Sequence, residues 1–336
     1  MTPATARVAA ADLDTGVGSS SWWRVALTGQ VTGPLAALIL AVVIFSTTTE
    51  NFFSGANLAL VVQQSVVVGT LAIGQTLVVL TAGIDLACAA IMVMGSVVIG
   101  RIAVSGNVWL ALLAGVVVTV LLGAVNGSLV SLASLPPFIV TLGVLTALTA
   151  GARLFTDSAS YPIKSTLLTA LNHGPRVGGV TITYGAMAWI GLTVLMAYAL
   201  TQTKWGTRIY TVGDNPHAAE LVGINVKRVL FGVYVVAGLI YAIAAWQALG
   251  RTPTADPAGY PTANLDSITA VVIGGTSLFG GRGGVTGTLV GTLIVTVLQN
   301  GLTHAGIDSL YQQVATGVLV VLAVAVDRLT RTRQSR

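Results

Sequence analysis

Ten apolar stretches follow one another along this chain, at residues 31–48, 57–81, 84–101, 107–133, 136–156, 184–203, 229–250, 265–280, 285–304 and 310–326. A helix needs about 20 mostly apolar residues to cross a hydrocarbon layer, where each backbone N–H and C=O must be bonded within the protein. The pattern therefore implies an all-α integral membrane protein with about ten transmembrane helices. Charge supports this, since only 8% of the 336 residues are charged, against roughly a quarter in a soluble domain. The eighth stretch is short and polar at its start, and the second and third are separated by only a few residues. Any of these can be re-entrant or broken, which shifts the count by about one or two.

An even number of crossings places both termini on one side, together with the 204–228 loop and the 281–284 turn. That side collects Arg7, Arg24, Lys204, Arg208, Lys227, Arg228, Arg282, Arg328, Arg331, Arg333 and Arg336. The other side receives Arg101, Arg153, Lys164, Arg176 and Arg251. Basic residues concentrate in short cytoplasmic loops, so both termini are expected in the cytoplasm. The chain then divides into a disordered or interfacial tail over 1–30, a membrane domain over 31–327 and a basic cytoplasmic tail over 328–336. The tail carries Trp22 and Trp23, suited to headgroup level. The 39 glycines are spread through the apolar stretches, where small residues let helices approach closely. Cys88 is the single cysteine, so no disulfide forms within the chain.

The largest polar island in this membrane sequence, 204–228, lies on the cytoplasmic side. Asn215-Pro216 resembles a helix start, because Asn caps the first turn and Pro suits the first helical position. Gly223 is placed to stop that helix after about two turns. A short helix with exposed Ala, Leu and Val suits a cleft on a soluble partner; an ordinary connecting loop is the other reading.

The segment Ile273–Thr288 is rich in glycine and contains Arg282. Gly275 and Gly280 have phosphate-loop spacing, but Gly281 stands where that loop requires lysine and no strand precedes it. The expectation is a tight turn at Gly280, Gly281 and Arg282 rather than a nucleotide site, so energy must come from elsewhere. Gly283, Gly287 and Gly291 continue at intervals of four, a small-residue helix-contact pattern. Thr288, Thr292, Thr296, Asn300 and His304 share that spacing. Such threonines either bond back to their own helix or line a path for a polar solute. Gln64 and Gln75 are three turns apart on one face, and Asn126 follows Thr119 by seven residues. Uncharged amides and hydroxyls suit a neutral, hydroxyl-rich solute, with interhelical bonding as the alternative.

Asp85 and Asp266 are the acids nearest membrane depth, and both sit near expected helix starts, where a carboxylate is favoured. Capping is the preferred reading, with a proton relay the alternative. The sequence Asn126-Gly-Ser128 fits a glycosylation acceptor but falls inside a span. His173, His217 and His304 have no metal-ligand spacing, and no nucleophile–base pair is evident. The residues thus indicate neither a metal site nor an enzyme.

Four motifs in order, Thr81-Ala-Gly-Ile-Asp-Leu86, Leu135-Pro-Pro-Phe-Ile-Val-Thr-Leu-Gly143, Asp214–Ala219 with Gly223–Val226, and Gly274–Gly283, resemble the permease subunits of ribose/xylose-type ABC sugar importers. The resemblance covers about residues 35–327. It implies a second permease subunit, a cytoplasmic ATP-binding subunit that holds ATP and Mg, an extracytoplasmic solute-binding protein, and a bacterial inner (plasma) membrane. The chain itself is expected to carry no cofactor. The resemblance also makes Asn215, Pro216, His217, Ala218, Ala219, Glu220 and Gly223 the coupling element received by the ATPase. It adds Phe138 and Thr141 to a candidate translocation path of Gln64, Gln75, Asn126, Thr292, Thr296 and Asn300. Two departures stand out. His217 and Glu220 replace the acid and the basic residue usual after Asn-Pro, and Ala87-Cys-Ala-Ala90 replaces a Ser-Val-Gly-Ser continuation. The competing class is an ion-coupled secondary transporter acting without an ATPase, for which Asp85 or Asp266 would be the intramembrane acid.

Overall fold

The computed structural model describes residues 31–178 and 180–334; the 1–30 tail read from the sequence lies outside them. Six helices are long and apolar enough to cross a membrane: α2 (Gly55–Leu80), α4 (Val108–Ser131), α5 (Pro137–Thr156), α7 (Tyr184–Gln202), α10 (Val226–Arg251) and α12 (Val285–His304). Shorter apolar helices stand between them, namely α1 (Thr32–Thr48), α3 (Cys88–Ala103), α11 (Ala263–Ile273) and the first part of α13 (Ser309–Gln334). The chain is an all-α membrane protein. Beyond the helices, the loop after α5 carries the short helix α6 (Thr166–Thr169) and strand pieces β1 (Tyr161–Pro162), β2 (Arg176–Val177) and β3 (Val180–Thr181). β1 pairs antiparallel with β4 (Thr254–Ala255), while β2 pairs with β3.

Helix starts follow local chemistry. The side chains of Ser54, Asn107, Thr183 and Asn225 accept from the backbone N–H three residues on, at the starts of α2, α4, α7 and α10. Each satisfies a donor that has no partner inside its helix. At the other end of α5, Asp157 turns the chain with φ 52°.

Two expected spans differ from their apolar stretches. The eighth is not helical to 280; α11 stops at Ile273, and glycines with φ 81°, 71° and 114° at 280, 281 and 283 form the turn that follows. The third starts four residues later than its apolar run, because 81–87 is an extended and turned segment with φ 61° at Ala82. α13 also continues to Gln334, into the segment read as a basic tail.

Burial separates the helices into an inner and an outer set. Of the most apolar window of each, 56% of α2, 56% of α10 and 67% of α12 is buried, against 22% of α4 and 17% of α5. α10 packs on α4, α2 and α3, and α12 on α11, α2 and α1. The glycine stripe makes the second contact close: a Cβ at Gly291 would lie 2.0 Å from the Ala270 carbonyl oxygen.

Candidate functional site

At one end of the bundle the polar island folds into two helices, α8 (Lys204–Asp214) and α9 (Pro216–Leu221). Sequence reading anticipated the second and missed the first. α8 is amphipathic, with Ile209 and Val212 buried and Lys204 and Arg208 exposed, which a loop reading of the same residues overlooked. The Thr203 hydroxyl caps it by accepting from Gly206 N–H at 3.2 Å. Its last turn enters a backbone-to-backbone junction. A Cβ at Gly213 would stand 1.8 Å from the carbonyl oxygen of Leu80, the final residue of α2. Gly281 N–H donates to that same oxygen at 3.0 Å, and the Tyr210 hydroxyl donates to Gly283 O at 2.8 Å. α8, the end of α2 and the glycine turn are thereby locked together.

α9 is closed at both ends. Asn215 Oδ1 accepts from Ala218 N–H at 3.1 Å, and Pro216 occupies the first helical position. At the far end Gly223 (φ 81°) donates to Glu220 O at 2.9 Å and Ile224 N–H to Ala219 O at 3.0 Å. This paired closure is the Schellman arrangement, which needs a left-handed residue where Gly223 stands. The face is now resolved by residue. Ala219 is fully buried against the protein, so its side chain faces inward, whereas His217, Ala218 and Glu220 are exposed. Leu221 is 89% and Val222 72% exposed. Two large apolar side chains thus form the tip of a short, rigid helix.

Between the ends runs the interrupted crossing. Asp85 is fully buried; its Oδ2 accepts from the Tyr241 hydroxyl at 2.9 Å and its Oδ1 from Ala87 N–H at 2.9 Å. With its amide turned to match, Gln75 donates to Asp85 O at 2.9 Å and accepts from Asp85 N–H at 3.2 Å. The Thr141 hydroxyl donates to Ile84 O at 3.0 Å, and Asn264 Oδ1 accepts from Ala89 N–H at 2.7 Å. Non-helical backbone at membrane depth must be satisfied by other groups, and these residues do so. Asp85 accordingly makes a local turn and a cross-helix bond instead of capping α3, whose N-cap is Ala87. Asp266, in the first turn of α11, receives the Thr262 hydroxyl at 3.0 Å and Gln299 Nε2 at 3.1 Å. It ties α11 to α12 rather than capping.

Several expected path residues are placed elsewhere. Gln75 and Thr141 are wholly buried in the junction just described. Thr292 and Thr296 donate back to Thr288 O and Thr292 O at 2.9 and 3.0 Å, the first of the two readings of that stripe. Phe138 is half-exposed on α5, and Asn126 is buried with neither amide atom bonded among the described residues. Gln64 and Asn300 do meet at a cavity.

That cavity lies at the opposite end of the bundle. α10 separates the two ends, since its 26 residues rise roughly 39 Å. Three clefts of about 290, 250 and 160 Å³ surround the loop 252–262 and share Tyr260. The largest is lined by Gln64, Arg251, Tyr260, Gln299, Asn300, Thr303 and Gln312 among others. Asn300 exchanges hydrogen bonds of 2.9 and 3.1 Å with Asn57, which fixes its orientation. Arg251 donates to Gln63 O at 3.0 Å. The lining is mostly uncharged amides and hydroxyls. Tyr260 went unnoticed in the sequence; the signal was the run Thr252–Thr262, too rich in Pro, Thr and Gly for a span.

Comparison with known proteins agrees with this architecture. The family described as branched-chain amino acid transport system / permease component matches residues 57–324. The fructose import permease protein FrcC of Rhizobium meliloti is 41% identical over 89% of this chain and 85% of its own length. The ribose import permease protein RbsC of Bacillus subtilis is 36% identical over 89% and 93% of the two chains. The xylose transport system permease protein XylH of Escherichia coli is 31% identical over 90% and 93%. No solved structure matches.

Proposed function

Because the chain belongs to the permease components of branched-chain amino acid-type transport systems, and within them to the ribose/xylose type of ABC sugar importer permeases, we propose that it forms the translocation path for a neutral monosaccharide or similar polyhydroxylated solute. In this reading it crosses a bacterial inner membrane ten times, with both termini in the cytoplasm. It pairs with a second permease subunit, receives solute from an extracytoplasmic binding protein, and is driven by a separate ATPase subunit that holds ATP and Mg. The relatives are named for fructose, ribose and xylose, and the amide- and hydroxyl-lined cavity suits the chemistry those solutes share.

One observation carries the coupling assignment. The Leu221–Val222 tip is exposed, apolar and rigidly capped, and it sits on the α8 assembly that grips the end of α2. A partner that seats this tip can push on α2 through the Leu80–Gly213–Gly281 junction without relying on flexible side chains. Such an apolar anchor in a pocket is the usual energetic centre of an interface.

The test is co-purification of the chain with its ATPase subunit, comparing wild type with Leu221→Asp/Val222→Asp. Both positions are exposed, so the thermal melt of the chain should stay put while recovery of the complex falls about tenfold or more. Undiminished recovery would remove α9 as the docking helix. A wild-type chain that moves solute in vesicles with no ATPase present would replace the importer by a secondary transporter.

A further inference from the structure

The loop 252–262 is pinned at its beginning and open at its end. Thr254 and Ala255 pair with Tyr161 and Pro162, and Asp256 closes a turn by accepting from Ala258 N–H at 2.9 Å and Gly259 N–H at 3.1 Å. Tyr260 then takes a left-handed backbone conformation, φ 56°. A bulky non-glycine residue there costs on the order of 1 kcal/mol. The strain brings the side chain to the point where all three clefts meet. Its hydroxyl is buried, yet it makes no hydrogen bond among the described residues; Thr252 lies nearby, outside bonding geometry. Across the largest cleft, the Gln64 amide likewise has no partner among the described residues. A buried hydroxyl left open on a cavity, with a half-buried amide across from it, calls for a partner that supplies both donors and acceptors.

We propose that Tyr260 and Gln64 form a monosaccharide-recognition station at the end of the bundle remote from α9. The phenol ring offers an apolar face to the C–H surface of the sugar, while its hydroxyl and the Gln64 amide bond solute hydroxyls. Asn300, held by Asn57, supplies a fixed polar wall. A neutral solute is specified because the polar groups of the largest cleft are uncharged except Arg251, whose guanidinium already donates to Gln63 O. A largest cleft of about 290 Å³ suits one sugar ring and not a long oligosaccharide. Tyr260, common to the three clefts, also places the loop where solute must pass from one to the next. The inference rests on the importer reading and deepens it at the cavity, apart from the α9 coupling element.

The experiment is uptake of labelled D-fructose, D-ribose, D-xylose and myo-inositol by cells producing the chain with its native transporter partners. Wild type is compared with Tyr260→Phe, Tyr260→Ala, Gln64→Ala and Gly191→Ala, the last a control on α7 at a helical position with open space. Amounts of chain in the membrane and of co-purified ATPase are measured alongside. The proposal expects Tyr260→Ala to lose at least tenfold in uptake, and Tyr260→Phe and Gln64→Ala several-fold. It further expects the ratios among the four solutes to change, which a merely structural role would not produce. If Tyr260→Ala fails to accumulate, Tyr260→Phe and Gln64→Ala decide. Unchanged rates and ratios in those two variants overturn the station and leave the importer reading intact. A wild type that accumulates, binds its ATPase and carries none of the four solutes overturns the station as a monosaccharide site and leaves the importer reading intact.

Discussion

The two ends of the bundle are built on opposite principles. At the α8–α9 end, contact is backbone on backbone: Gly213 lies against Leu80 O, Gly281 N–H is bonded to the same oxygen, and no side chain separates them. At the 252–262 end, contact is through polar side chains around clefts, and the buried Tyr260 hydroxyl among them has no partner among the described residues. Close packing transmits displacement because it has no voids to absorb it. An open, polar-lined cleft exchanges partners because its groups remain available. In the proposed reading force enters at the first end and cargo at the second, and the difference in packing is what each task requires.

A matched pair of glycine substitutions would break that contrast if it is wrong. Gly213→Ala pushes a methyl group to 1.8 Å from Leu80 O, where only backbone can yield. Overpacking of this kind costs about 3 kcal/mol or more, so the purified chain should melt far lower or fail to accumulate. Gly259→Ala, beside the clefts, places its methyl 3.2 Å from Asp256 O and should cost less than about 1 kcal/mol. Similar melts for the two variants would refute the claim of a rigid end and a yielding one.

The segment joining the ends sharpens the comparison. Tyr241→Phe removes the hydroxyl that donates to Asp85 Oδ2 and leaves a buried carboxylate short of a partner. The expected cost is about 1–3 kcal/mol, read as a lowered melting temperature. If 81–87 carries movement from the glycine junction toward the clefts, sugar uptake should fall further than stability does. A loss in stability alone would make the segment a structural joint only.

These tests also mark how far the sequence could be read. The membrane class and most helix boundaries followed from apolar length, a local effect, while the caps at Ser54, Asn107 and Asn225 that set those starts emerged only in the structure. α11 was overextended because Leu278 and Phe279 resume an apolar pattern across Gly274–Ser277, after the helix has ended at Ile273. α8 was missed because its apolar positions, Ile209 and Val212, are few in a polar segment. On α9 the stop at Gly223 was legible, but which face turns inward was not, and Ala219 turns inward. Gln75 and Thr141 were taken as path residues because their partners, at Asp85 and Ile84, are backbone groups that no side-chain pattern announces. The Tyr241–Asp85 bond joins residues 156 positions apart, and Asn57–Asn300 joins residues 243 apart. The Tyr260 clefts draw on α2, α10 and α12 together, so their meeting is a product of packing.

The smallest expected effect tests the rigid end through pH. Tyr210, in α8 outside the membrane-spanning helices, has its hydroxyl pushed up from 10.0 to about 12 by burial. The folded chain then holds this proton more tightly than the unfolded chain does. Below the ordinary value both states are protonated and the contribution is constant. Between 10.0 and about 12 the unfolded state releases its proton first, so stability falls as pH rises through that window. Tyr210→Phe has no proton to release, so its melting temperature should lack this part of the alkaline decline. At neutral pH the variant should be less stable by about 1 kcal/mol, from the lost bond to Gly283 O. The two melting curves should therefore converge above pH 10. Parallel curves would mean that the phenol is solvated and that the junction between α8 and the glycine turn is looser than the packing at Gly213 requires.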